Sequence, residues 1–244
     1  MVNLAIVIPV FKDDPALRAL LEQLERLLAC LQNPDAPIFV ETVVVDGAAN
    51  PKTRHLVTSR ARYLSAPPGR GGQISQGIGA LEAQWYWVLH ADTQISEAAY
   101  SYLLTLVRTG QPGWGRFDVD IQGLSLIAWF MNWRSRLTRI CTGDQSMFLA
   151  ASVLEAIGGF PEQPLMEDIE LSKRCKTTAG VFYAPRVAVV TSARRWQAQG
   201  VLCTVLHMWW TRCRYFFGTP AATLFRSYYR KSAKGASWHR DRRR

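Results

Sequence analysis

An unbroken apolar run that ends in an acidic residue constrains this 244-residue chain more than any other feature. Residues 85–89 read Trp-Tyr-Trp-Val-Leu, and His90, Ala91, Asp92 and Thr93 follow directly. A short run of aromatic and β-branched residues predicts a fully buried strand. In open α/β sheets, ligands bind beyond the carboxyl ends of the strands, so we expect Asp92 where a metal or phosphate would lie.

The first half of the chain alternates between strand and helix patterns. Residues 4–10 and 38–45 are short β-rich runs with a helical pattern between them. The leucines of that helix form one apolar stripe: Leu17, Leu20, Leu21, Leu24, Leu27, Leu28 and Leu31. A glycine-rich loop at residues 67–72 and a further helix lead into the strand at 85–89. This alternation predicts an α/β fold with a Rossmann-like, mainly parallel sheet flanked by helices.

The alternation breaks in the second half of the chain. We predict strands at residues 113–118, 146–150 and 181–190, and helices at 124–140 and 201–217. No linker marks a separate domain, so this half is expected to continue the sheet and to form an acceptor-side region.

Charge and cysteine content bear on compartment and partners. Residues 226–244 hold eight basic residues and one acid, so +7 of the net charge of +10 lies in this tail. Such a tail attracts anionic lipid or nucleic acid, but a solvated, partly disordered tail is the preferred interpretation. The five cysteines form no C-x-x-C pair, which favours reduced thiols. With no signal-peptide pattern and no apolar run of about 18 residues, we expect a cytoplasmic protein, and peripheral contact with the inner face of the membrane stays open.

Several common classes of site lack their sequence motif. The chain has no G-x-G-x-x-G after its first strand, no G-x-x-x-x-G-K-[ST] and no G-x-S-x-G. These absences disfavour a dinucleotide-dependent dehydrogenase, a P-loop nucleotide site and an α/β-hydrolase. What the chain has instead are carboxylates at predicted strand ends and helix starts: Asp46, Asp92, Asp144 and Asp168.

Eight short motifs follow one another along residues 3–218. They are Ile-Pro-Val, Val-Val-Asp-Gly, a Gly-Arg loop, His-Ala-Asp-Thr, Gly-Arg-Phe-Asp, Thr-Gly-Asp-Gln, Pro-Leu-Met-Glu-Asp-Ile-Glu-Leu and Thr-Ser-Ala-Arg-Arg-Trp. In this order they resemble family 2 glycosyltransferases, most closely the small bacterial arsenosugar-biosynthesis-type branch. The resemblance implies a GT-A fold, an inverting transferase, a nucleotide-diphospho-sugar donor, and Mg²⁺ or Mn²⁺. It further implies a glycosyltransferase domain over residues 1–218, with a nucleotide-sugar half (1–110), an acceptor and catalytic-base half (111–218), and a basic tail (219–244).

On the donor side, the resemblance matches Asp46 to the residue that contacts the base and ribose, and Arg70 to one that reaches the base or diphosphate. A carboxylate accepts hydrogen bonds from a base N–H or a ribose hydroxyl, and a guanidinium makes charge-assisted contacts to phosphate. A turn-forming aspartate and a solvated surface arginine are the alternatives. Residues 48–51 and Gly72 depart from the family's pattern, which leaves one arginine fewer.

His90-Ala91-Asp92 corresponds to the family's D-x-D, of which this chain keeps the last acid. Mg²⁺ and Mn²⁺ are typically held by one or two carboxylates together with donor phosphates and water. The resemblance therefore implies Asp92 as the metal ligand. His90 either assists donor binding or only packs.

Glu167 and Asp168 open a predicted helix. Removing the proton of an acceptor hydroxyl needs a base within about 3 Å. The resemblance points to Asp168 as that general base and to Glu167 as a residue that positions the acceptor or the base. Two acids at a helix N-terminus also stabilise the helix dipole, which is the structural alternative. Asp144 and Gln145 are expected to line the acceptor or donor pocket.

Two features lie near the end of the chain. Arg194, Arg195 and Trp196 are similar to an element that, in processive relatives, closes over the diphosphate and stacks on the sugar. In the helix at 201–217 an apolar stripe predicts core packing or a homodimer contact first and an interfacial membrane helix second. Its residues are Leu202, Val205, Leu206, Trp209, Cys213 and Phe216.

From the sequence, we expect a metal-assisted glycosyltransferase that moves a sugar from a nucleotide-diphospho-sugar to an acceptor hydroxyl with inversion. The acceptor is a small molecule or is linked to a lipid. The alternative is a non-catalytic relative that binds nucleotide or sugar, because the D-x-D motif and the donor loops are incomplete. Nucleic-acid binding rests on the tail alone and is disfavoured.

Overall fold

The fold was obtained as a computed structural model that describes residues 2–31, 37–57, 61–193 and 200–227. Its strands are β1 (Val2–Val10), β2 (Val40–Asp46), β3 (Ala61–Ser65), β4 (Ala83–Val88), β5 (Gly113–Gly115), β6 (Asp118–Ile121), β7 (Phe148–Ala150), β8 (Val181–Tyr183) and β9 (Ala188–Thr191). Its α-helices are α1 (Asp14–Leu31), α2 (Pro51–Leu56), α3 (Arg70–Gly79), α4 (Glu97–Thr109), α5 (Ser125–Thr138), α6 (Ala151–Ala156), α7 (Glu167–Cys175) and α8 (Val201–Phe216). A 3₁₀ turn spans Gly143–Gln145, and residues 221–227 are also helical.

Within the described residues, seven strands form the main sheet in the order β3-β2-β1-β4-β7-β5-β8. All neighbouring pairs are parallel except the two that involve β7, which runs antiparallel to β4 and β5. The prediction of a mainly parallel α/β sheet flanked by helices is therefore confirmed. Strands from the second half of the chain add to the same sheet as those from the first.

Strand β4 lies at the centre of the main sheet, as its composition predicts. Trp87 is fully buried and packs on Phe117, with ring centroids 5.7 Å apart, and Trp85 is 3% exposed. Burying each such side chain contributes about 1.5–3 kcal/mol, which makes a central position the favourable one for this run. The strand ends at Val88, so Leu89 and His90 already belong to the loop beyond it.

Helix α1 packs on the sheet through the predicted leucine stripe. Its buried residues are Leu17, Leu20, Leu21, Leu24 and Leu27. Leu28 and Leu31 are partly buried at the edge of the same core. The period of 3.6 residues places all of these side chains on one face.

The second half departs from the predicted strands at two points. The single strand expected at residues 181–190 is two strands: β8 joins the main sheet, whereas β9 pairs with β6 in a small separate sheet. Pro185 lies between them and has no N–H to donate to a ladder, which explains the break. The strand expected at 113–118 is divided in the same way, because β5 and β6 belong to different sheets.

A buried ion pair fixes the small sheet to α5. The guanidinium of Arg116 is fully buried and contacts the carboxylate of Asp118, and Nη2 of Arg136 lies 2.6 Å from the other oxygen of Asp118. Asn132 binds the backbone of Val119 with both ends of its amide, at 2.9 Å each. These contacts place α5 beside the sheet edge that carries the candidate site. No helix of the described residues is long and apolar enough to cross a membrane.

Candidate active site

Asp46 ends β2 and is fully buried. Its Oδ1 accepts a hydrogen bond from the N–H of Ala48 at 2.8 Å. Its Oδ2 accepts from the N–H of Asn50 at 2.7 Å and from the hydroxyl of Tyr63 at 3.1 Å. Burial and the neighbouring Asp46 carboxylate raise the pKa of Tyr63. The carboxylate thus orders the loop after β2, and contact between Asp46 and a donor stays a prediction.

Gln73 is a residue of this edge that the sequence analysis missed. It is 2% exposed, and its Nε2 donates to the carbonyl oxygen of Val10 at 2.9 Å and to that of Val45 at 2.8 Å. One side chain of α3 therefore joins the carboxyl ends of β1 and β2. A Cβ at Gly47 would lie 3.1 Å from the Gln73 amide, so the glycine leaves room for it. The sequence pattern does not mark this glutamine as buried, so its contacts could be found only in the fold.

Arg70, the first residue of α3, pairs with Glu167, the first residue of α7. Nε of Arg70 lies 3.1 Å from Oε1 of Glu167, whose side chain is only 1% exposed. Burial raises the pKa of Glu167, the Arg70 guanidinium opposes that shift, and the Asp168 carboxylate adds to it. Oε2 of Glu167 is buried and has no hydrogen-bond partner among the described residues. The pair ties the donor-side helix to the acid pair, and it leaves one buried carboxylate oxygen to be satisfied.

His90 follows β4 and approaches the 3₁₀ turn. Its Nδ1 lies 3.4 Å from Oδ1 of Asp144. A Cβ built on Gly143 would lie 2.5 Å from both Cε1 and Nε2 of His90, and 3.7 Å from Nη1 of Arg70. Glycine at position 143 is therefore what allows the imidazole to reach the turn. His90 and Asp144, which are 54 positions apart in the sequence, are therefore neighbours in the fold, and their contact with a substrate stays a prediction.

Asp168 is held by backbone N–H groups on two sides. The N–H of Gly143 donates to its Oδ2 at 2.9 Å, and the N–H of Ile169 donates to its Oδ1 at 2.8 Å. Met166 precedes the helix in a left-handed conformation, with φ of 64°, and so turns the chain into α7. The side chain of Asp168 is half-buried. A carboxylate fixed in this way is positioned to accept a proton from a group arriving from outside.

Five of these side chains form one group, which we call the β4–α7 cluster: Arg70, His90, Asp144, Glu167 and Asp168. Between them lies a cavity of about 10 Å³, lined by His90, Gly143, Glu167 and Asp168 among others. This volume is about that of a single water molecule.

Gln145 differs from its neighbours in the turn. It is fully buried, and its Nε2 donates to Oδ1 of Asn132 at 3.1 Å and to Oγ of Ser135 at 3.0 Å. Its Oε1 accepts from the N–H of Thr142 at 3.2 Å. Both ends of the amide are engaged inside the protein, so the geometry gives Gln145 a role in fixing the turn. A direct contact with substrate has no support here.

Asp92 follows His90 in the loop beyond β4, but it lines a different cavity from the one in the cluster. It is half-buried and lines a cavity of about 540 Å³, together with Gln23, Arg26, Gln122 and Ser192. Within the described ranges, no three His, Cys, Asp or Glu side chains meet as a metal-binding group. One carboxylate still suits a metal whose remaining ligands come from a diphosphate and water. The predicted residues Arg194, Arg195 and Trp196 lie outside the described residues.

Comparison by sequence gives no match to a protein-family model and none to a curated protein. Solved structures are similar in fold. A mannosyltransferase, PcManGT from Pyrobaculum calidifontis in complex with GDP-Man and Mn²⁺, is 15% identical with a TM-score of 0.63, over 82% of this chain and 62% of that one.

TarS from S. aureus is also similar. Its residues 1–349 in complex with UDP are 14% identical with a TM-score of 0.60, over 78% of this chain and 60% of that one. The same protein in complex with UDP-GlcNAc is 12% identical with a TM-score of 0.58, over 79% and 59%. The chain thus spans about six tenths of the length of these proteins. At this identity the likeness concerns the fold, and the chain has the GT-A type α/β fold of glycosyltransferases that use nucleotide sugars.

Proposed function

We propose that the protein is an inverting glycosyltransferase of the family 2 type, which transfers a sugar from a nucleotide-diphospho-sugar to an acceptor hydroxyl. The observation that carries this is Asp168, held by the N–H groups of Gly143 and Ile169 and facing the cavity of the β4–α7 cluster. The GT-A fold supports a nucleotide-sugar donor, since the proteins of similar fold include complexes with GDP-Man, UDP and UDP-GlcNAc. The finer assignment to the arsenosugar-biosynthesis-type branch is part of the proposal and rests on the eight motifs.

The reaction is a direct displacement at the anomeric carbon. The acceptor oxygen forms a bond to that carbon while the bond to the diphosphate oxygen breaks, and the leaving nucleoside diphosphate takes the electron pair. The proton of the hydroxyl passes to Asp168, which acts as general base. Arg70, paired with Glu167 at 3.1 Å, places a positive charge at the start of α3 and supports the proposed contact with the donor diphosphate.

A divalent cation fits this proposal with Asp92 as its protein ligand. Mg²⁺ or Mn²⁺ would neutralise charge on the departing diphosphate. The residues 1–110 would then bind the donor, and residues 111–218 would supply the acceptor side and the base. We place this activity in the cytoplasm.

A non-catalytic nucleotide- or sugar-binding relative is the second candidate. It is favoured by the incomplete D-x-D motif, in which His90 stands where the family has its first acid and Asp92 is the acid that remains. Such a protein would bind the nucleotide without turnover.

The Asp168→Asn variant separates the two candidates. We expect it to bind UDP or GDP in the presence of Mn²⁺ as the unchanged protein does, by calorimetry, and to lose hydrolysis and transfer of the donor by at least 100-fold. Asp120→Asn, an exposed acid of β6, is the control and should keep both properties. Full activity in Asp168→Asn would refute the base assignment, and binding without any turnover in the unchanged protein would favour the second candidate.

A further inference from the structure

A groove lies between α5 and α8, with a volume of about 370 Å³. Its lining is almost entirely apolar and includes Trp129, Phe130, Met131, Val205, Met208 and Trp209. The rings of Phe130 and Trp209 stack across it, with centroids 6.3 Å apart and planes 27° apart. This volume is that of a small-molecule site.

The fold buries Met131 at the base of the groove but leaves its tryptophans largely exposed. Trp129 is 60% exposed and Trp209 is 55% exposed, whereas Val205 and Met208 pack partly on the small core under α5. The predicted core packing of the α8 stripe is therefore wrong for Trp209, and also for Leu206, which is 60% exposed. A contiguous exposed apolar surface of this kind marks a place where a ligand or partner binds.

Two cations line the same groove, Arg134 from α5 and Arg212 from α8. Nη2 of Arg134 is buried and has no hydrogen-bond partner among the described residues. Burial lowers the pKa of Arg134 to about 10, and the positive charge of Arg212 acts in the same direction. Arg134 is partly buried and its Nη2 has no hydrogen-bond partner among the described residues, so an anionic group placed beside Arg134 and Arg212 gains a charge-assisted contact.

The cationic part of the groove adjoins the β4–α7 cluster. Oγ of Ser135 on α5 accepts from Nε2 of Gln145 in the 3₁₀ turn at 3.0 Å, and the N–H of Gly143 in the same turn donates to Asp168 at 2.9 Å. The hydroxyl of Tyr215 on α8 donates to Oε2 of Glu170 on α7 at 3.0 Å. Both helices of the groove thus contact the elements that carry the proposed base.

We propose that the groove binds the acceptor, a single lipid whose apolar chain lies between α5 and α8. An anionic group of the phosphate class contacts Arg134 and Arg212, and the hydroxyl to be glycosylated reaches Asp168. This inference rests on the proposed function and names its acceptor class. Two guanidiniums inside a concave apolar site suit one amphiphilic molecule, whereas a bilayer surface or a second copy of the chain would need only the exposed aromatic rim.

Calorimetry on the full chain tests the ligand chemistry with three probes: monomeric octyl phosphate, inorganic phosphate and octanol. We expect octyl phosphate to bind at least 10-fold more tightly than either of the others, because only it engages both the apolar lining and the arginines. Equal affinity of the unchanged protein for octyl phosphate and inorganic phosphate would by itself overturn the proposal.

Matched variants on α8 test the location. Arg212→Gln and Trp209→Gln change residues of the groove, and each should weaken octyl phosphate binding about 10-fold. Arg214→Gln and Trp210→Gln change residues of the same helix that do not line the groove, and each should stay within two-fold. Equal losses in all four variants would overturn the assignment.

If a bilayer surface or a second copy of the chain occupies this face instead, different results are expected. Binding to vesicles of anionic phospholipid that is weakened equally by Trp209→Gln and Trp210→Gln, with no binding of the monomer, would make this face a membrane contact and refute the acceptor site. A dimer in sedimentation analysis that Trp209→Gln dissociates, again without monomer binding, would make it an interface between copies. Binding of UDP and GDP with Mn²⁺, measured on the same samples, separates the acceptor groove from the proposed function. Nucleotide binding without lipid binding refutes only the acceptor groove. Lipid binding without nucleotide binding refutes the proposed function.

Discussion

Replacing Gly143 by alanine tests whether the close approach of His90 to the 3₁₀ turn organises the site. The backbone at Gly143 has no positive φ, so alanine meets no conformational obstacle there. The added Cβ would lie 2.5 Å from Cε1 and Nε2 of the His90 ring, about 1 Å inside ordinary van der Waals contact. His90 is only 9% exposed, so the ring cannot swing into solvent and the turn or β4 must give way.

The expected cost has two parts. Overpacking of this kind destabilises a protein by about 1–3 kcal/mol. The N–H of Gly143 also donates to Asp168, so a shift of the turn displaces the proposed base. A displacement of about 1 Å at reacting groups costs on the order of 100-fold in rate. We therefore expect Gly143→Ala to lose about 1–3 kcal/mol of unfolding free energy and about 100-fold in kcat/KM.

The chain offers a matched control in Gly72, a glycine of α3 around which a Cβ would meet nothing within 4 Å. Gly72→Ala should keep activity and gain about 0.5–1 kcal/mol, because alanine is the better helix former. Urea denaturation measures stability, and donor hydrolysis measures activity.

A second variant isolates the clash itself. His90→Ala removes the ring that the new Cβ meets, so the double variant Gly143→Ala/His90→Ala should lose less stability than the sum of the two single losses. Strict additivity, or a Gly143→Ala protein with unchanged stability and activity, would refute the reasoning.

Three further predictions concern charge. Asp118→Asn should lower the free energy of unfolding by about 3–5 kcal/mol in urea denaturation, because it leaves the buried Arg116 without its counter-charge. The control Asp120→Asn, at an exposed position, should change it by no more than about 0.5 kcal/mol. Equal effects of the two variants would count against the ion pair. Burial raises the pKa of Glu167 in the folded state, so the free energy of unfolding falls as pH rises from the unfolded pKa of about 4.3 through the raised folded pKa. Glu167→Gln removes this titration and should gain stability relative to the unchanged protein as pH rises through that range, and parallel pH profiles in urea denaturation would contradict this. Mn²⁺ should bind poorly to the protein alone and better with UDP or GDP, since Asp92 is the single carboxylate proposed as its ligand; calorimetry that finds tight metal binding without nucleotide would contradict that assignment.

Much of the fold follows from periodicity. The leucine stripe of α1 predicts a helix because it repeats with the helical period, and the short unbroken apolar run of β4 predicts a strand that is buried on both faces. The break between β8 and β9 was missed because residues 181–190 are apolar almost throughout, and Pro185 was the signal that outweighed composition. Strand direction could not be predicted for β7, since three residues carry no information on the partner they will pair with.

The site was predictable as a set of residue types and less so as a set of contacts. His90, Glu167 and Asp168 line one small cavity at the edge of the sheet where strand ends and helix starts converge, whereas Asp92 lines a separate cavity. The functional roles of these residues stay predictions. The sequence did not reveal that the Gln145 amide bonds to partners inside the protein, or that Asp46 bonds to the backbone of the loop after β2. Those outcomes depend on which N–H groups the folded backbone points at each side chain. The groove between α5 and α8 was hidden for a related reason: a stripe predicts an apolar face, but not what covers it.

The hydrogen bonds of Gln73 bear on how the edge of the sheet formed by the ends of β1 and β2 assembles during folding. They connect residues that are 63 and 28 positions apart in the chain. Contacts of such long range form only after the intervening loops have closed, and therefore late in folding. A chain in which β1, β2 and α3 are formed but not yet docked lacks the sheet edge at which we propose that the donor binds. The nucleotide binding that we propose should accordingly require the completely folded chain.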